Sequence, residues 1–366
     1  MPTPSRRDFL KHSAAATLAA SALTGVAAAG ARAGQATQPG ANPALPGEKP
    51  ATATPPAKVD VLRRPFGKTD MQVAILGFGS AEIGYERTDQ KVVDGILNAA
   101  LDQGLNAVDT AECYVDAEEQ IGRAISGRRK EFYLFSKCGH VTKNGERGDD
   151  WSKEGILNSV ERSLKRCKTD VLDLIQLHSC SLETLEKGEC IDALEEAKKQ
   201  GKVRYIGYSG DSKAAKYAIE TGRFDALQTS VNIADQECIE LTLPLAREKG
   251  MGVVAKRPIA NAAWRYDAKP DNGYHVEYWN RLQELKYAFA MGEKRSDTGP
   301  DGAAGTALRF SAFQPGVHVC IVGTSKPERW RQNAELLRAG ALSEEAVKTI
   351  RARWKEVAKA EWTGQT

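Results

Sequence analysis

Leu172-Asp173-Leu174-Ile175-Gln176-Leu177-His178 is a short, mostly apolar run that ends in an imidazole. The segments on both sides of it are amphipathic. Upstream, Ile156, Val160, Leu164 and Cys167 recur at helical spacing through Ser152–Lys168 and form one apolar stripe. Downstream, Leu185, Ile191, Leu194 and Ala197 do the same through Glu183–Gln200. A brief apolar run between one-faced helices reads as a parallel strand, because the helices bury it.

The alternation repeats in both directions. Further strands are expected at Val73–Gly77, Ala107–Thr110, Phe132–Ser136, Tyr205–Tyr208, Ala226–Thr229, Gly252–Ala255 and Val319–Val322. Helical patterns lie at Asp89–Gln103, Asp211–Thr221, Glu237–Lys249, Gly302–Phe313, Lys326–Leu337 and Ser343–Glu361. Eight right-handed strand–helix units close into a barrel or lie open as a doubly wound sheet. Eight units over residues 61–340 favour the (β/α)₈ TIM barrel, preceded by a β-hairpin around Arg64–Val73. After the first strand, Gly77 and Gly79 are followed only by Gly84, so the phosphate turn of a dinucleotide-binding open sheet is missing.

The start of the chain is different. Ser5-Arg6-Arg7-Asp8-Phe9-Leu10-Lys11 precedes an uncharged, Ala-rich stretch from Ser13 to Gly30, then Ala31-Arg32-Ala33. Charged start, mild apolar run and small-residue end define an export signal over residues 1–33, and the paired arginines point to the twin-arginine machinery. The expected destination is the periplasm or another extracytoplasmic space. The run is too weakly apolar for stable insertion in a bilayer after cleavage, though an uncleaved anchor stays open. Residues 34–60 are rich in Pro, Ala and Thr and read as a disordered tether; residues 61–366 form the barrel domain.

The chain carries 51 basic and 48 acidic residues, but residues 1–33 hold Arg6, Arg7, Lys11 and Arg32 against Asp8. The remainder is balanced at 47 of each sign, which gives no electrostatic reason to bind nucleic acid. The 7 cysteines are scattered without a CxxC, so neither a disulfide framework nor a zinc site is indicated. Four histidines lie beyond the signal (140, 178, 275 and 318), without metal-ligand spacing.

Chemistry in such barrels sits at the carboxyl ends of the strands. Asp109 and Tyr114 follow the second strand, Lys137 the third and His178 the fourth. Singly these are a helix cap, a rim aromatic, a surface charge and a core histidine. Together they make a unit. A lysine after a buried strand needs a counter-charge, and Asp109 is the natural one. An ammonium beside a phenol stabilises phenolate and makes Tyr114 a usable general acid. His178 donates to the same substrate oxygen. No side chain supplies hydride, so a nicotinamide cofactor is required.

Asp109-Thr-Ala-Glu-Cys-Tyr114, Ala117-Glu-Glu-Gln-Ile-Gly-Arg-Ala124, the Lys137 strand and Asp173-Leu-Ile-Gln-Leu-His178 resemble the aldo-keto reductase superfamily across the whole barrel. The resemblance implies Tyr114 as acid, Lys137 and Asp109 tuning it, and His178 orienting an aldehyde or ketone, or the matching alcohol. It further implies that Ser209 and Gln228 grip the nicotinamide amide, with Gly210 where relatives carry Asn. Arg257 stands near the place of a stacking aromatic and offers its guanidinium plane instead. The segment Val322–Asn333 is similar to the family's adenosine-phosphate loop. Thr324 and Ser325 at a helix start form an anion site, Arg329 forks onto a 2′-phosphate, and Gln332 and Asn333 hold adenine. These features favour NADP(H) over NAD(H), although Gly323 replaces a Lys of some NADPH-preferring relatives. Because the twin-arginine route carries folded proteins, the cofactor is expected to travel inside.

The rival reading is a non-catalytic NADP-binding regulatory module. A metal-dependent hydrolase is weaker still. The loops Cys138–Asp150 and Ile259–Thr298 are expected to shape the pocket. The aromatics of the second, Trp264, Tyr266, Tyr274, Tyr278 and Trp279, either stack on a substrate or pack an extra helix.

Overall fold

The computed structural model describes residues 58–143 and 146–365. The expected signal peptide and the tether up to residue 57 lie outside the described residues. Lys58–Asp271 and the chain from His275 onward belong to one compact unit. Val59, placed in the tether by its sequence, is buried in the barrel's core, so the packed chain starts slightly earlier than expected.

Eight strands close into a barrel: β1 (Leu76–Gly79), β2 (Ala107–Asp109), β3 (Tyr133–Cys138), β4 (Leu172–His178), β5 (Val203–Ser209), β6 (Ala226–Ser230), β7 (Gly252–Lys256) and β8 (Val319–Val322). They follow one another round the ring in chain order, every neighbouring pair parallel. The principal helices are α1 (Gln90–Asp102), α2 (Ala117–Ile125), α3 (Lys153–Cys167), α4 (Glu189–Lys199), α5 (Ser212–Glu220), α6 (Leu243–Glu248), α7 (Gly273–Leu285), α8 (Ala303–Ala312), α9 (Arg329–Leu337) and α10 (Glu344–Val357).

The expected first strand, Val73–Gly77, straddles two elements. Gln72–Ala74 pairs antiparallel with Arg63–Pro65 as the hairpin, and the barrel strand begins only at Leu76. Val73, Ala74, Ile75 and Leu76 are all buried, so one apolar run spans the join without marking it. Two expected helices are also broken. Glu183–Gln200 is divided at Gly188, whose φ of +77° lies in the left-handed region that ends helices. Glu237–Lys249 breaks at Thr242, two residues before Pro244.

Side chains alternate across each strand. The inner face carries Ala107, Phe135, Leu174, Ala226, Val254 and Val319, and the hairpin adds Phe66, Met71 and Val73 beneath them. The hairpin therefore stoppers the amino-terminal end of the barrel. Phe66 stacks on Phe135 with ring centroids 5.5 Å apart. Gly67 turns the hairpin at φ +58°, and a Cβ there would lie 2.3 Å from the Gly252 nitrogen. Burial of a phenylalanine of this kind contributes about 1.5–3 kcal/mol. With one end filled by apolar side chains, only the carboxyl mouth remains for chemistry.

A second apolar cluster joins α7, α8 and α10 and includes Trp264 and Tyr278. The Tyr278 hydroxyl donates to Asp235 at 3.0 Å, and Trp279 donates to the Tyr266 carbonyl at 3.1 Å. Of the two readings of this aromatic-rich segment, packing an extra helix accounts for Trp264, Tyr278 and Trp279.

Candidate active site

Two residues toward the mouth from the inner apolar layer, the same faces carry Asp109, Lys137, Gln176, Gln228 and Lys256. Continued alternation thus turns an apolar floor into a polar mouth. Lys137 Nζ lies 2.5 Å from Asp109 Oδ1 and donates to the Thr110 carbonyl at 2.8 Å. Both side chains are almost fully buried, at 1% and 2% exposure, so neither charge is shared with water. Burial pushes the Asp109 carboxyl up, while the Lys137 ammonium pulls against that rise. The pair is costly to assemble and more costly to break.

Tyr114 lies in the turn between β2 and α2. Lys137 Nζ sits 5.0 Å from the centre of its ring, close enough for the ammonium's field to act on the phenol. The His178 ring meets Tyr114 edge-on at 5.6 Å. The four residues read from sequence as a unit are therefore one cluster at one end of the barrel.

The turn is fixed from below. Glu112 accepts from Arg162 Nε at 2.5 Å and from the Ser159 hydroxyl, and Glu118 accepts from Ser136 at 2.6 Å. These buried carboxylates tie the loop to α3 and β3. Val115 follows Tyr114 at φ +51°, a conformation that a β-branched residue holds only under constraint. Gly84, in the short helix Ala81–Tyr85, passes under the turn; a Cβ there would fall 2.0 Å from the Tyr114 carbonyl oxygen.

The residues expected to hold the cofactor occupy the same mouth. Ser209 and Gln228 are buried at the ends of β5 and β6. Gln228 accepts from Gln176 at 2.8 Å and donates to Asp109 at 3.5 Å. Thr324 and Asn333 are buried, while Ser325 and Gln332 are exposed, and Arg329 opens α9. Thr324 Oγ1 accepts from the Lys326 N–H at 3.0 Å, which shapes the turn into the helix. Polar groups buried along β5 and β6, with a helix start beside β8, suit an amide at one end and a phosphate at the other. Arg257 is held within the protein itself. Its Nη1 donates to the Gln365 carbonyl and to Ser230 Oγ, so this end of the guanidinium holds the chain's last described segment.

Sequence reasoning passed over three features. Gln176 lies between Leu174 and His178 on the inner face, and alternation alone would have found it. Lys256 pairs with buried Asp211 at 2.8 Å. Burial acts to raise the Asp211 carboxyl, but Lys256, the Ser230 N–H and the Thr229 hydroxyl outweigh it and hold the group low. The loop Cys138–Asp150 contains an antiparallel hairpin, His140–Lys143 with Glu146–Asp149, that stands over His178. No local pattern in the sequence announces it.

A closed parallel barrel with a buried ion pair, a phenol and an imidazole at its carboxyl mouth defines a barrel enzyme with acid–base machinery. Residues 75–355 match the aldo/keto reductase family, and the chain belongs to that family. Residues 3–23 match the signal sequence of the twin-arginine translocation pathway. Among similar proteins, the uncharacterized oxidoreductase YqkF of Bacillus subtilis is 30% identical, over 80% of this chain and 97% of its own. The L-galactose dehydrogenase of Arabidopsis thaliana is 24% identical, over 82% and 96%. Among solved structures, the holo form of aldo-keto reductase AKR11C1 from Bacillus halodurans superposes with a TM-score of 0.69 at 27% identity. That match covers 82% of this chain and 99% of the other. An aldo-keto reductase from Klebsiella pneumoniae, solved in complex with NADPH, gives 0.61 at 25% identity, over 78% and 93%. The chain is thus an oxidoreductase of a family that uses nicotinamide cofactors, with a signal for twin-arginine export. Among the described residues, no helix is long and apolar enough to cross a membrane.

Proposed function

We propose that this protein is an NADP(H)-dependent aldehyde or ketone reductase in which Tyr114 is the general acid. The observation that carries this reading is the buried Lys137–Asp109 pair set 5.0 Å from the Tyr114 ring. NADPH, when bound, supplies the hydride. The protein's part is proton management. Tyr114 gives its proton to the carbonyl oxygen, Lys137 stabilises the phenolate left behind, and Asp109 holds Lys137 against drift. His178 orients the same oxygen. The neutral, apolar barrel floor excludes water from beneath the reacting atoms and strengthens these charges.

Ser209 and Gln228 would hold the nicotinamide amide, Gln228 exchanging its long bond to Asp109 for one to the cofactor. Thr324, Ser325 and Arg329 would take the 2′-phosphate end, with Gln332 and Asn333 at the adenine. Arg257 would border the cofactor near Ser230. A structural relative solved with NADPH supports the choice of NADP(H).

Oxidation of NADPH by a panel of aldehydes and ketones, followed at the nicotinamide absorbance, tests the reading. Tyr114→Phe should lower kcat by about 100-fold or more while leaving cofactor affinity unchanged. Arg329→Ala should weaken NADPH binding and spare NADH. Equal inertness of wild type and Tyr114→Phe across the panel would leave a cofactor-binding module instead. The exported protein should carry its nucleotide with it; mass analysis of protein recovered from outside the cytoplasm checks this directly.

A further inference from the structure

The amino-terminal end of the barrel, opposite the mouth, holds a recess that the reductase reading does not use. Its volume is about 480 Å³, within the range of small-molecule sites, and it is lined chiefly by Arg64, Pro65, Phe313, Pro315, Val317 and His318. It forms where the stopper hairpin meets the turn between α8 and β8. Arg64 joins the two. Its Nη1 donates to the Ala312 carbonyl at 2.8 Å and to the Val317 carbonyl at 2.7 Å. Its guanidinium lies 5.3 Å from the centre of the Phe313 ring.

Arg64 has no carboxylate partner among the described residues. Burial pulls its pKa down from the ordinary value, as befits a cation short of counter-charge. Two further cations flank the recess. The Cβ of Arg247 lies 3.7 Å from where a Cβ on Gly316 would stand, and Lys68 follows Gly67 in the hairpin turn. Both are exposed, and neither enters an ion pair among the described residues. Of the acids close by in sequence, Asp70 is bonded to Arg204 at 2.5 Å and Glu248 does not line the recess. His318 adds no charge at neutral pH, because its Nδ1 accepts the Val253 N–H. The second edge of Arg64, Nε and Nη2, bonds to none of the described residues. Its two N–H groups point in parallel and match the two oxygens of a single carboxylate.

The geometry points to a binding site for a small organic carboxylate, its head on the Nε–Nη2 edge of Arg64 and its apolar body against Pro65, Phe313 and Pro315. An inorganic anion meets the same guanidinium but leaves those apolar side chains uncovered. A neutral molecule covers them but leaves the cation without a counter-charge. The carboxylate, once bound, bridges the hairpin to the turn before β8 and so stabilises the closed floor of the barrel. Arg247 and Lys68 draw the anion in over a distance that salt shortens. The site stands whether or not the mouth reduces carbonyls.

The experiment titrates the full-length protein with benzoate, benzyl alcohol and inorganic phosphate, following the Cε1–H resonances of its histidines. His318 reports on the recess and His178 on the catalytic mouth. Benzoate should move the His318 signal saturably and bind at least about 10-fold more tightly than either benzyl alcohol or phosphate. Arg64→Gln keeps a donor for the two carbonyls but removes the charge and the fork. It should weaken benzoate by about 10-fold or more, and Arg64→Lys, which keeps only the charge, by about 3-fold or more. A wild-type His318 signal that stays still, or a benzoate response confined to His178, would overturn the inference. Benzyl alcohol binding as well as benzoate would reduce the recess to an apolar hollow. Phosphate binding as well as benzoate would make it a site for inorganic anions, and either result defeats the carboxylate assignment. These wild-type comparisons decide the matter even if neither Arg64 variant folds.

Discussion

The ammonium of Lys137 and the carboxylate of Asp109 lie 2.5 Å apart inside the barrel, and neither side chain is more than 2% exposed. Each is the other's direct counter-charge at that depth. Lys137→Met should strand the carboxylate and Asp109→Asn the ammonium, each costing about 3–5 kcal/mol of stability. The double variant removes both charges and should cost less than the sum. Urea melts of the four proteins give the coupling; simple additivity would argue against a closed pair.

Gly84 shows how tightly the Tyr114 turn is held. An added Cβ meets the Tyr114 carbonyl oxygen at 2.0 Å, and a backbone atom cannot swing aside as a side chain would. Gly84→Ala should displace the phenol and lower kcat by about 10-fold or more, since small misplacements of a reacting group are costly. Gly95, within α1, has nothing within 4 Å of its added carbon. Gly95→Ala should leave kcat alone and raise stability by about 0.5–1 kcal/mol. Steady-state rates and thermal melts of both variants make the comparison.

Cys113 Sγ lies 3.4 Å from His178 Nδ1, on the loop that also carries Tyr114. The thiol helps fix which ring nitrogen carries the proton, and so what His178 shows the substrate oxygen. Cys113→Val should raise KM for the carbonyl substrate and reduce kcat/KM by about 5–10-fold. Cys113→Ser, which keeps a hydrogen-bonding atom, should stay within about 3-fold of wild type. Equal behaviour of the two variants would assign Cys113 to packing alone.

His318 sets an acid limit on stability. Its Nδ1 accepts the Val253 N–H at 3.0 Å, which needs the neutral ring. Burial, and then the nearby Arg64 guanidinium, lower its pKa from 6.5 to about 4. A histidine with a depressed folded-state pKa contributes stability that is complete above pH 6.5 and is lost as pH falls through about 4. Wild type should therefore lose stability relative to His318→Gln over that window, and the two curves should run parallel above it. Urea melts at several pH values between 4 and 8 provide the check.

Much of this could be read from local pattern. Alternating apolar runs and one-faced helices specify eight strand–helix units, because burial on both sides selects the residues. Asp109, Tyr114, Lys137 and His178 stand at strand ends, where the fold sends functional groups. The exceptions have a common cause. Val73–Gly77 hides a junction because both neighbouring elements are buried. Glu183–Gln200 hides a break because its apolar spacing continues across Gly188. Periodicity reports burial and is silent about which partner does the burying.

The sequence by itself therefore determined the units, their order and the chemical groups at the mouth, since these follow from residue type and spacing along one strand or helix. Only the tertiary structure decided that His140 stands against His178, that Asp211 neutralises Lys256, and that Arg257 holds the C-terminal segment. Those relationships join residues on different elements. Ring closure and loop conformation set their distances, and no local periodicity encodes either.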